Sequence, residues 1–133
     1  MGSVVAAILI AGILSALTDW LFMGVLFHDA YNSYPEVWWP GVRDGETRGP
    51  LIWSAVLGVV MTGSVVGLCA VAGAATLWSG LGIGLLTFLA GPLAVILINA
   101  QFVKTDIWLM VSHALGYLAR LLIAGAVAGL ILP

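Results

Sequence analysis

Residues 107–132 read IWLMVSHALGYLARLLIAGAVAGLIL, an apolar run whose only charge is Arg120 and whose first half carries Ser112, His113 and Tyr117. Crossing the hydrocarbon core takes about 20 residues of helix at roughly 1.5 Å each. The run is long enough. It must also be helical, because lipid offers no partner to a free N–H or C=O. A β-barrel strand would alternate at every second residue, and Leu121-Leu122-Ile123-Ala124-Gly125-Ala126 does not.

Three further stretches, residues 4–27, 51–72 and 77–103, have the same character. The first is too long for the core of a cleaved signal peptide and lacks a basic residue before it, so it reads as a retained helix. Pro50 precedes the second span, where proline suits a helix start. The expected fold is therefore an all-α bundle of four transmembrane helices in a single domain over residues 1–133. Composition agrees. Hydrophobic residues make up 62% of the 133-residue chain and charged residues 8%, with a mean hydropathy of +1.17. Soluble domains carry about 25% charged residues, and a small soluble domain cannot hide this much apolar surface.

Residues 28–50 form a long polar connection, whereas 73–76 and 104–106 are tight turns. Short links make antiparallel neighbours, so spans two, three and four are expected to form a meander. Arg43, Arg48 and Lys104 all fall in the first and third connections. The positive-inside rule then places the loop 28–50 in the cytoplasm and both termini outside. Trp53, Trp78 and Trp108 stand at span starts, at headgroup level. Tyr31, Tyr34, Trp38 and Trp39 suggest that residues 30–39 lie on the membrane surface, with packing on the helix ends the alternative.

Pairs of small residues four apart recur: Ala7 and Ala11, Gly12 and Ala16, Gly63 and Gly67, Gly80 and Gly84, Ser112 and Gly116, Gly125 and Gly129. Such faces let helix backbones approach closely in lipid. They suit internal packing, or a homo-oligomer joined above all through Gly125 and Gly129. Gly91-Pro92 in the middle of span three predicts a kink and a candidate hinge.

The polar groups at membrane depth carry the functional reading. Asp19 lies in span one and Arg120 in span four. An ionisable group there costs at least about 2.5–3.5 kcal/mol and usually faces inward with a partner. Asp106, Met110, His113, Tyr117 and Arg120 follow steps of four and three, one stripe of a helix. A helical arginine leans toward its own N-terminus, here toward the level of Asp19. An Asp19–Arg120 pair with His113 and Tyr117 beside it satisfies all four groups. Ser15, Thr62, Thr87 and Asn99 are supporting polar groups, each also able to bond its own backbone. His28 ends the first span beside Asp29 and reads as an exposed histidine. No ligand spacing supports a metal, and nothing points to a cofactor. With four Lys and Arg there is no basic patch for nucleic acid. Cys69 stands alone in an apolar run and reads as a small core residue.

Asp19-Trp20-Leu21-Phe22-Met23-Gly24-Val25-Leu26-Phe27, followed by a Trp-bearing loop, resembles the start of the small bacterial membrane proteins grouped as domain of unknown function family 1761. The stretch from His113 to Gly129 is similar to that family's last helix. The resemblance implies a four-helix architecture in a bacterial inner membrane and no activity.

Three classes of function fit these residues. One is binding or transport of a small molecule, ion or proton through the polar cluster. The second is a structural or accessory subunit. The third is an enzyme acting on a lipid or quinone, with His113 as general base and Arg120 binding an anionic group; no nucleophile triad or phosphate-cradling motif is present.

Overall fold

The computed structural model describes residues 1–33, 39, 41–42 and 44–132. Among them every regular element is helical. Helix α1 spans Gly2–Asp19 and continues as a π-helical segment, Trp20–Leu26. A short α2, His28–Asn32, follows. Helix α3 spans Gly49–Val71. Helix α4, Leu77–Phe88, passes through a second π-helical segment, Leu89–Leu93, into α5, Ala94–Phe102. Helix α6 spans Ile107–Ile131. The chain thus forms four helices long and apolar enough to cross a membrane: Gly2–Leu26, Gly49–Val71, Leu77–Phe102 and Ile107–Ile131. This is the expected all-α, multi-pass bundle, with span limits within two residues of those read from the sequence.

Local chemistry explains the boundaries. Pro50 lies in the first turn of α3, where its missing N–H is no loss. The α3–α4 turn ends on Gly73 at φ +65°, with Ala74 N–H donating to the Cys69 carbonyl at 2.9 Å and Gly73 N–H to that of Ala70 at 3.3 Å. This glycine-terminated cap satisfies carbonyls that lipid cannot. Thr76 and Ser79 then cap α4 reciprocally through side chain and backbone. Asp106 Oδ1 accepts from the N–H groups of Trp108 and Leu109 at 2.7 and 3.3 Å, which starts α6.

The meander is corrected in one respect. Helices α3 and α4, though joined by the tight turn, touch far less than α4 and α6. Helix α6 is the hub, packed against α1, α3 and α4. Its inward face is made of Ser112, Gly116, Arg120, Leu121, Ala124, Gly125, Ala128 and Gly129. Gly80 and Gly84 of α4 lie so close to it that a Cβ on either would overlap a carbonyl, of Gly125 and Leu121 respectively. A Cβ on Gly125 would overlap the Gly80 carbonyl, and one on Gly129 that of Thr76. The face expected to join subunits through Gly125 and Gly129 is therefore consumed inside the chain. Small residues, not turn length, select the neighbours.

Ala7, Ala11 and Ser15 form the buried stripe of α1, and Gly58, Thr62, Val65, Val66 and Cys69 that of α3. Cys69 lies in the core, as read from its apolar surroundings. Trp53, Trp78 and Trp108 are exposed at the span starts. The beginning of the long connection, α2, packs against α6, and most of the rest of residues 30–39 lies outside the described residues. Tyr34, Trp38 and Arg43 lie outside the described residues.

Candidate intramembrane polar site

Asp19 is the last residue of α1, at the junction with the π-helical segment. A π turn takes one residue more than an α turn. It therefore rotates everything beyond it relative to the helix before it, and such segments concentrate at functional positions. Arg120 lies in the middle of α6. Its Nη2 donates to Asp19 Oδ2, forming the ion pair expected from the stripe and the lean of the side chain. The Arg120 side chain is only 9% exposed, that of Asp19 26%.

One glycine makes room for this pair, and a second lies in ordinary contact distance of it. A Cβ on Gly58 of α3 would strike the Arg120 guanidinium, so the third wall of the site is bare backbone. On α6 a Cβ at Gly116 would lie 3.9 Å from Asp19 Oδ1 and 3.6 Å from Met23 Cε. Sequence reasoning noted the small-residue pair Ser112 and Gly116 but missed Gly58, although Ser54 stands four residues before it. Its signal is a glycine in the interior of an apolar helix, which is common in membrane spans.

The pair is not internally complete. Among the described residues, the bond to Asp19 is the only hydrogen bond of the guanidinium, which has five N–H donors. Ser15, one turn before Asp19, and Thr62, one turn after Gly58, are each fully buried with a hydroxyl that has no hydrogen-bond partner. Buried polar groups are normally satisfied, and each exception needs a reason. Thr87 is different: it donates to the Ile83 carbonyl at 2.8 Å, its own backbone.

His113 and Tyr117 do not join the ion pair, which corrects the expected four-residue cluster. They form a second group nearer the loop end. The His113 ring lies 5.7 Å from Tyr31 of α2 and 6.3 Å, edge-on, from Tyr117, centroid to centroid. The Tyr31 hydroxyl hydrogen-bonds the Ser112 hydroxyl at 3.4 Å. Burial under α6 pushes the Tyr31 phenol up from its ordinary range, partly offset by the Ser112 bond. The stripe thus serves two neighbours: Arg120 reaches α1, and His113 meets α2.

His113 and Tyr117 also line a hollow of about 420 Å³ with Met61 of α3, Pro92 of the π-helical segment, and Val95, Ile96 and Asn99 of α5. The kink expected at Gly91-Pro92 is realised as that widened turn, which absorbs the missing N–H of Pro92. Helix α5 has no buried residue. His28 is exposed at the start of α2, where its backbone carbonyl accepts from Asn32 at 3.2 Å. Among the described residues no three His, Cys, Asp or Glu side chains are placed to share a metal ion.

Fold and site together define a class: a four-helix integral membrane protein with a buried, incompletely bonded arginine paired to a half-buried aspartate. No family model, curated protein or solved structure matches the chain.

Proposed function

We propose that the protein binds or moves a small solute, an ion or a proton at the Asp19–Arg120 pair. One observation carries this reading. A buried guanidinium uses a single donor, and the fully buried Ser15 and Thr62 hydroxyls beside its two partner helices have no bond at all. Structural pairs in low dielectric do better when fully satisfied, because each orphaned group costs about 1–3 kcal/mol. A centre that keeps donors in hand is suited to an occupant that comes and goes. His113, whose imidazole can take up and release a proton, would serve a proton path from the loop end. Localisation belongs to the same proposal. The bundle lies in a bacterial inner membrane, with Arg48 and Lys104 at the cytoplasmic face. The resemblance noted above implies this setting and supplies no activity.

The test is a thermal-shift screen of detergent-purified protein against inorganic anions and cations, small carboxylates and a pH series, run on wild type and Asp19→Asn in parallel. A solute that raises the wild-type Tm and leaves the variant unmoved supports the reading. If every solute moves both proteins equally, the pair is a structural pin between α1 and α6.

A further inference from the structure

The hollow beside His113 and Tyr117 is separate from the ion pair: neither Asp19 nor Arg120 lines it. On α6 its lining residues Tyr117 and His113 precede Arg120 by three and seven residues, which sets them one to two helical turns nearer the loop end. Its walls are Met61, Pro92, Val95 and Ile96, and its polar groups are the side chains of Asn99, His113 and Tyr117. Asn99 lies about 5 Å from the end of its span, His113 about 9 Å and Tyr117 about 15 Å, at 1.5 Å per residue. Among the described residues, none of these three side chains makes a hydrogen bond; His113 and Tyr117 stand at depths where lipid tails cannot supply one, and Asn99 stands near the span end. The opening is lateral. Helix α3 meets α4 near the tight turn, whereas α5, beyond the π-helical segment, buries nothing, and Val95 and Asn99 are exposed.

We propose that this hollow is a binding site for an uncharged amphiphile that enters from the bilayer between α3 and α5. Its oxygen-bearing head, a carbonyl or hydroxyl, lies against Asn99, His113 and Tyr117. The chemistry selects this class. Apolar walls open to lipid admit an apolar body, and three unused hydrogen-bonding side chains call for a polar head. No charged side chain lines the hollow, so nothing there compensates a charged head. A volume of about 420 Å³ lies within the range of about 300–1,000 Å³ for small-molecule sites. The inference deepens the proposed function by giving His113 and Tyr117 a ligand class, and it rests on that reading for their membership of one polar route.

The probe is a long-chain methyl ketone carrying a diazirine near the carbonyl and a terminal alkyne, compared with the matched alkane. Both are photolysed in phosphatidylcholine–phosphatidylglycerol liposomes holding the full chain, and labelled peptides are mapped. The ketone is expected to label Met61 and residues 95–99 at least fivefold over the lipid-facing Val59, Val60 and Leu86. The alkane is expected to label these positions evenly. Ile96→Trp fills the hollow and His113→Phe with Tyr117→Phe strips its polar wall; each should bring ketone labelling down to the alkane level while the melting transition survives. Even ketone labelling, or enrichment unchanged in both variants, overturns the proposal. Asp19→Asn separates the two readings. Retained labelling there, with no solute response in wild type, sinks the ion-pair reading alone; a solute response without local labelling sinks the amphiphile site alone.

Discussion

Removing one member of the Asp19–Arg120 pair is expected to cost far more than removing both. The Arg120 side chain is 9% exposed and is enclosed by α1, by Gly58 of α3 and by its own helix. Breaking a buried pair from one side typically costs about 3–5 kcal/mol, because a desolvated charge is left behind. An ordinary interhelical hydrogen bond in a membrane averages only about 0.6 kcal/mol, with about 1.7 as its upper range. Asp19→Asn keeps an acceptor for the guanidinium and loses the charge, so it should fall between these limits, at about 2–3 kcal/mol. Arg120→Met removes the cation and leaves a carboxylate that is itself partly exposed, so about 1–3 kcal/mol is expected. The double variant leaves neither charge and should lie within about 1 kcal/mol of wild type, which makes the coupling at least about 2 kcal/mol. The assay is a sodium dodecyl sulfate titration in dodecyl maltoside micelles followed by far-ultraviolet circular dichroism. If both single variants lose less than about 0.5 kcal/mol and the losses add, the two charges are solvated and no buried centre exists.

Two other outcomes test the architecture and its orientation. Gly84→Ala should lose about 1–3 kcal/mol in the same titration, since its methyl would meet the backbone carbonyl of Leu121, while Gly82→Ala, with open space around its Cβ, should be neutral or slightly stabilising; equal losses at the two positions would remove the close α4–α6 contact. In a Cys69→Ala background, a membrane-impermeant maleimide added to intact bacterial cells should label Ala75→Cys and spare Asp44→Cys until the cells are permeabilised; the reverse pattern overturns the assigned orientation.

Span number, span limits and the inward acid–base pair were legible because lipid imposes absolute terms: helix length, backbone satisfaction and the cost of an isolated charge. Asp19 and Arg120 could be paired from depth and side-chain lean alone. The neighbours of each helix were less legible. Turn length argued for α3 against α4, but the choice is made by carbonyl-to-glycine contacts that six small-residue pairs could have made in several combinations. His113 and Tyr117 lie on the same stripe as Arg120, yet α2, too short to register as a span, draws His113 toward Tyr31. The π-helical segments are written in no motif. That after Asp19 contains no proline, and that at Leu89–Leu93 surrounds one that predicted a bend rather than a widened turn.

Placing the hub in the fourth span has a consequence for biogenesis. Asp19 and Arg120 are 101 residues apart, and translation at about 5–20 residues per second separates their emergence by roughly 5–20 s. Until α6 is made the acid of the first span has no Arg120 to meet, and α4, once made, keeps its glycine face uncovered. The bundle can therefore close around its acid–base pair only after the last span is in place.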